Sequence, residues 1–281
     1  MKIEKTIKLN NGTEIDRVGL GFWESRGSEA EDAVCYGIEA GYRRIDTAAY
    51  YKNEPEVGTG IRKCGIDRKE LFVATKLWYT DMCEGRQEET FYRSLERLGL
   101  DYVDMYYLHW PIGEVTKSWR VLEKLCEAGK IRTISVCNFQ PVHLQKLLAK
   151  ANICPAVNQI ESNPHFQQNA AVEFCQREGI VPEAWGPLGK GSDLSLPLLV
   201  QLAQKYEKTP AQIILRWHLQ RGLTVIPKSV NPDRMAQNLD VFDFELEEKD
   251  MDAIYTLETG VTKRGYPAQY RYDAVCAETE F

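Results

Sequence analysis

The chain is 281 residues long, 43% hydrophobic and 27% charged, an ordinary composition for a protein able to bury an extensive core. A net charge of −6 excludes a binder of nucleic-acid backbones held by bulk charge, while leaving room for a local basic pocket. No apolar run reaches membrane-spanning length and the opening MKIEKTIKLNNG has no apolar signal core, so the expectation is a cytoplasmic, monomeric protein with no nucleic-acid or membrane partner.

In chain order, residues 6–9 and 13–15 flank Asn10-Asn11-Gly12, a tight-turn signal that predicts a small hairpin. Short apolar runs follow at 17–20, 44–46, 71–76, 103–109, 131–136, 156–160, 181–185 and 224–226. Between them lie amphipathic stretches at 28–40, 87–98, 119–128, 140–150 and 170–178; in 87–98, Phe91, Leu95 and Leu98 recur at helical spacing. Two helices in tandem, 196–205 and 210–220, precede the last run, and 247–257 reads as a helix beyond it. Eight strands each followed by a helix predict an α/β fold: a closed (β/α)8 TIM barrel with an N-terminal β-hairpin and an extra C-terminal helix and tail, one domain over residues 1–281. The competing open, doubly wound sheet wants a glycine-rich turn after its first strand, and Gly19-Leu20-Gly21 lacks the third glycine that would open a helix. Gly58 and Gly60 fall inside a helical pattern, where they mark close packing. The eight cysteines contain no C-x-x-C pair and no zinc spacing with the four histidines, so free thiols and no metal centre are expected.

A barrel of this kind gathers its functional groups at the C-terminal ends of its strands. The second strand ends at Asp46 with Tyr51 on the following loop, the third at Lys76, and the fourth in Leu108-His109-Trp110-Pro111. Taken singly, Asp46 suits a helix cap, Lys76 a surface lysine and His109 a structural histidine. An acid, a phenol, an amine and an imidazole converging from three strands argue for a catalytic mouth.

The segment GYRRIDTAAYYKNE at 41–54 closely resembles the signature of the aldo-keto reductase family. So do Thr75-Lys76, Leu108-His109-Trp110-Pro111, Gly129-Lys130-Ile131-Arg132, Asn158-Gln159-Ile160-Glu161 and Ile226-Pro227-Lys228-Ser229, all in the family's order. The stretches 183–189 and 238–244 look most like bacterial diketogluconate reductases and glyoxal reductases. The resemblance implies NADPH-dependent reduction of aldehydes and ketones, with small dicarbonyls or keto-sugar acids as substrates. It makes Tyr51 the proton donor, Lys76 the cation that eases its ionisation, Asp46 the partner of Lys76, and His109 the hydrogen-bond donor to the carbonyl oxygen. A free tyrosine, with a pKa of about 10, is a poor acid at neutral pH, which is why the phenol needs the ammonium.

For NADPH/NADP+ the resemblance implies stacking on Trp185, with Gly186, Leu188 and Gly189 behind it. Cys137, Asn138 and Gln159 would face the carboxamide, and Gly21, Phe22 and Trp23 would line the nicotinamide end beside Asp46. Ile226, Lys228, Ser229, Asn231, Arg234, Gln237 and Asn238 would form the adenosine-phosphate pocket, with two cations and a hydroxyl suited to a 2′-phosphate. Trp23, Tyr51, Trp78, His109 and Trp110 would contact substrate. Two positions depart from the family: Cys137 stands where a serine is usual and Gln237 where a glutamate is usual. The short segment 112–118 predicts an open mouth and a permissive enzyme; the aromatic run 266–272 reads equally as a partial lid over that mouth or as a flexible terminus. The alternatives are a non-catalytic, nucleotide-sensing barrel subunit and a barrel enzyme for phosphorylated substrates. The intact group of Asp46, Tyr51, Lys76 and His109 favours the reductase over both.

Overall fold

The computed structural model describes residues 3–262. It opens on the hairpin, β1 (Thr6–Lys8) and β2 (Glu14–Asp16), paired antiparallel with Ile7 opposite Ile15. Gly12 takes φ +86° in the turn, a conformation that costs glycine little. Eight strands then pair in parallel, each beside the next: β3 (Leu20–Gly21), β4 (Arg44–Asp46), β5 (Phe72–Leu77), β6 (Val103–Leu108), β7 (Ile131–Cys137), β8 (Val157–Glu161), β9 (Val181–Trp185) and β10 (Thr224–Ile226). The last returns to the first: Gly19 N donates to Val225 O at 2.8 Å, Val225 N to Arg17 O at 2.8 Å and Gly21 N to Pro227 O at 3.2 Å, closing the barrel. The first strand differs from expectation. Regular pairing covers Leu20–Gly21 rather than 17–20, and Val18 meets β10 through an isolated bridge. A Cβ at Gly21 would lie 2.9 Å from Ile226 O, so glycine is what lets the two backbones meet there.

Outside the barrel lie α1 (Gly27–Ala40), α2 (Glu54–Lys63), α3 (Tyr79–Cys83), α4 (Gln87–Leu98), α5 (Val115–Glu127), α6 (Pro141–Leu148), α7 (Asn169–Arg177), α8 (Pro197–Tyr206), α9 (Pro210–Gln220), α10 (Pro232–Leu239) and α11 (Glu248–Tyr255). In α4 the spacing of Phe91, Leu95 and Leu98 buries one face, and Gly99 at φ +66° ends the helix. Helix α5 starts at Val115, four residues before the expected 119, because Val115, Ser118, Trp119, Leu122 and Leu125 form one continuous buried stripe. Gly58 and Gly60 mark close packing as expected: a Cβ at Gly58 would lie 2.1 Å from Leu98 O.

Two shells of core surround the strands, and a third cluster, with Leu199, Ile213, Trp217 and Ile254, joins α8, α9 and α11. Ala74, Met105, Tyr107, Cys137, Val157 and Val181 pack inside the barrel, sealed at its N-terminal end by Leu9 and Ile15 of the hairpin. The larger shell lies between strands and helices and includes Phe91, Leu98, Trp119 and Phe139. Among the described residues no helix is long and apolar enough to cross a membrane. The aromatic run 266–272 and the rest of the expected tail lie outside the described residues.

Candidate functional site

Parallel pairing sets the ends of β4, β5 and β6 side by side, with Asp46 in register with Ala74 and Lys76 with Tyr107. Lys76 Nζ donates to an Asp46 carboxylate oxygen and, at 3.0 Å, to Thr47 O; the amine is wholly buried. Tyr51 sits on a short helical turn, Ala49–Tyr51, between β4 and α2. That turn is clamped from behind. Thr47 Oγ1 donates to Asn53 Oδ1 at 2.6 Å, Asn53 Nδ2 donates to Phe22 O and Ser25 O, and Thr75 Oγ1 donates to Glu54 Oε1 at 2.6 Å. The clamp brings the Tyr51 ring to within 5.3 Å of Lys76 Nζ and 5.7 Å of the His109 ring.

Burial alone would drive the proton off Lys76, but Asp46, then Tyr51 and Cys137, hold its pKa above the ordinary lysine range, so the amine stays charged. Burial pushes the Asp46 carboxyl up, Lys76 pulls it down, and Glu183 pushes it up again. Glu183 belongs to a polar layer inside the barrel. Gln159 Nε2 donates to Asp46 Oδ2 at 3.0 Å and to Glu183 Oε1 at 2.9 Å. Glu183 forms a buried ion pair with Arg44 and accepts from Tyr107 Oη at 3.0 Å and Thr224 Oγ1 at 2.8 Å. A chain of hydrogen bonds therefore runs from Lys76 to Arg44.

Asp46, Tyr51, His109 and Gln159 line a cleft of about 870 Å³, within the range of small-molecule sites. Its near wall is aromatic. The Tyr50 ring stacks on Trp78 at 3.8 Å and faces Trp23 at 5.8 Å, while Trp23 meets Tyr51 edge-on at 4.7 Å. Sequence reading singled out Tyr51, Trp23 and Trp78 but missed Tyr50, whose only signal was its place beside Tyr51. Trp110 also lines the cleft, and with α5 starting at Val115 only a short connection separates it from the next helix.

The far wall comes from β7 onward. Asn138, at φ +66°, donates through Nδ2 to the backbone carbonyl His109 O at 3.0 Å and accepts at Oδ1 from Trp185 Nε1 at 2.9 Å, so the amide ties the end of β6 to the indole. The Cys137 thiol donates to Gln159 Oε1 at a long 3.8 Å, and burial pushes its pKa far up. Gln159 thus directs its amide inward to two carboxylates while still lining the cleft. Gly21, Phe22, Gly186, Leu188, Gly189 and Ile226 continue the lining toward Lys228 and Ser229 ahead of α10, Arg234 in its first turn, and Gln237 and Asn238 in its last. Asn231 does not line it. Its Oδ1 accepts from Arg234 N at 2.9 Å, so this side chain caps α10.

The arrangement can hold a long, polar, partly aromatic molecule. An aromatic platform and amides lie at one end and two exposed cations with a serine at the other, and a phenol and an imidazole line it between them, the buried ammonium lying beside the phenol ring. That donor set fits a nicotinamide dinucleotide phosphate.

Residues 17–258 match the model of the aldo/keto reductase family. The chain is 48% identical over 257 residues to the glyoxal reductase of Bacillus subtilis, covering 91% of this chain and 93% of that protein. It is 44% identical over 265 residues to the methylglyoxal reductase of Yersinia pestis, covering 92% and 95%. Among solved structures, a Bombyx mori aldo-keto reductase in complex with NADP superposes with a TM-score of 0.88 at 35% identity, covering 96% of each chain.

Proposed function

The chain belongs to the aldo/keto reductase family, an NADP(H)-dependent oxidoreductase of carbonyl groups, and from that premise we propose that Tyr51 delivers the proton to small dicarbonyl substrates. The observation that carries this reading is the placement of Tyr51 5.3 Å from the buried, charged Lys76 and 5.7 Å from His109, all at one mouth.

When bound, NADPH supplies the hydride; Trp185, Asn138 and Gln159 would hold its nicotinamide end, and Lys228, Ser229 and Arg234 its phosphate end. The protein's own task is the proton and the oxygen. Lys76, kept charged by Asp46, stabilises the Tyr51 phenolate, which makes the phenol a stronger acid. His109 donates to the carbonyl oxygen and orients it toward Tyr51. As the alkoxide forms, Tyr51 Oη gives up its proton and the new negative charge rests beside Lys76.

The stack of Trp23, Tyr50 and Trp78 gives the pocket an aromatic wall against which two- and three-carbon dicarbonyls can lie. The names of the B. subtilis and Y. pestis relatives support the same substrate class. An NADPH-oxidation panel over glyoxal, methylglyoxal, diketogluconate, aryl aldehydes and steroid ketones tests the proposal. The dicarbonyls should give the highest kcat/KM; preference for a steroid ketone would overturn it.

A further inference from the structure

The packing of α1 on α2, away from the cleft, creates a second chemical feature. Gly60 permits an unusually close approach: a Cβ there would lie 2.7 Å from Val34 Cβ and 2.8 Å from Glu31 O. Across this contact Cys35 of α1 and Cys64, the residue that ends α2, bring their sulfurs to 2.9 Å. Both thiols lean on the same carbonyl, Gly60 O, Cys64 at 2.8 Å and Cys35 at 3.7 Å. Both are half-buried, so a small reagent can reach them. A disulfide needs an S–S separation of about 2.0 Å, so roughly 0.9 Å of approach from the observed 2.9 Å completes the bond.

We propose that Cys35 and Cys64 form an oxidisable dithiol that closes to an intramolecular disulfide on exchange with a small-molecule disulfide. The Cys35 thiolate attacks one sulfur of the reagent, whose S–S bond breaks; the departing thiolate takes a proton, leaving a mixed disulfide on Cys35. Cys64 then loses its proton to solvent and attacks the Cys35 sulfur, expelling the second small thiol. Two protein thiols are oxidised and one small disulfide is reduced to two thiols.

The order follows from the surroundings. Burial, then the hydrogen bond and charge of Cys35, push the Cys64 thiol up to about 12, so Cys64 does not attack first. Modification of Cys35 removes the two contributions that Cys35 itself makes. Cys64 is left at contact distance, with neighbouring Lys63 favouring its thiolate. The bond would close a loop that contains Asp46, Tyr50 and Tyr51, tying together the helix before β4 and the helix after the Tyr51 turn.

The test treats the full-length protein with oxidised glutathione at mildly alkaline pH, blocks remaining thiols by alkylation, and maps the peptides. The expected product is a Cys35–Cys64 linked peptide that retains no glutathione. A thermal midpoint several degrees higher should accompany it and revert with dithiothreitol. Cys64→Ser should trap glutathione on Cys35, while Cys35→Ser should leave Cys64 unmodified; neither should change carbonyl reduction by the reduced protein. Glutathione retained separately on both residues, or both inert while the exposed Cys83 reacts, would overturn the proposal.

Discussion

Replacing Arg44 with methionine removes the cation of the barrel's internal ion pair while keeping most of its length. Arg44 is 2% exposed and Glu183 0%, so neither charge has water to fall back on. Deleting one partner of such a pair strands the other, at a cost of about 3–5 kcal/mol near neutral pH. For a chain of this size that is a fall in thermal midpoint on the order of 10 °C. The loss should depend on pH in a defined direction. In the native protein burial pushes the Glu183 carboxyl up, but Arg44, with Gln159 and Thr224, overrides it and holds the group below the usual carboxylate range. Its contribution is present above the unfolded value, about 4.3, and fades as pH falls through the folded one. Without Arg44 burial dominates and the folded pKa rises above the unfolded value. The variant's remaining contribution is then full below about pH 4.3 and lost as pH rises. The gap between native protein and Arg44→Met should therefore widen from mildly acidic to mildly alkaline pH. Urea unfolding across that span measures it, and Arg44→Met with Glu183→Gln should recover most of the loss. A gap independent of pH, or a double variant no better than the single one, would refute the reasoning. It would assign the loss to the bonds from Arg44 to Arg17 O and Val225 O, both 3.3 Å.

Tyr51→Phe should reduce kcat for glyoxal by about 10²–10⁴-fold or more while NADPH still quenches protein fluorescence on binding; substantial turnover would remove Tyr51 as the acid. Alanine at Lys228 and Arg234 should weaken NADPH binding on the order of tenfold per residue and leave NADH nearly unchanged, since both cations are exposed and partly screened. Equal losses for the two nucleotides would show that the pair does not read the 2′-phosphate. Cys137→Ser should tighten NADPH binding by up to roughly tenfold in a fluorescence titration, because a hydroxyl donates more strongly than the thiol now 3.8 Å from Gln159 Oε1. Gly58→Ala should lower stability sharply in a thermal melt, since its Cβ would meet Leu98 O at 2.1 Å; an unchanged midpoint would mean that α2 and α4 slide apart freely.

The barrel was legible because its repeating unit leaves a periodic trace. The runs at 44–46, 103–109 and 181–185 and the stripe of Phe91, Leu95 and Leu98 each report one element locally, and the eightfold alternation reports the closure. The mouth was legible for a related reason: strand ends are readable positions, so Asp46, Lys76 and His109 announced themselves. Features that depend on partners far apart in the chain were not. Arg44 and Glu183 are 139 positions apart and meet only because β4 and β9 both face the barrel interior. The 29-residue separation of Cys35 and Cys64 carries no motif, and their contact follows from Gly60. The early start of α5 was hidden because Val115 and Ser118 extend the buried stripe only once the strands it covers are in place.

The groups proposed to manage the proton all arise before Trp110, and apart from Gly21, Phe22 and Trp23 those proposed to grip the dinucleotide all arise from Cys137 onward. The two tasks thus occupy successive half-barrels, joined at the site by the bond from Gln159 to Asp46 and by the bonds among His109, Asn138 and Trp185. For directed evolution this is a practical division. A library confined to the second half can exchange one dinucleotide for another without touching the acid, and one confined to Trp23, Tyr50 and Trp78 can reshape substrate range without touching the dinucleotide's phosphate end. Recombining the winners of two such libraries should give nearly additive gains, provided Asn138, Gln159 and Trp185 are held fixed.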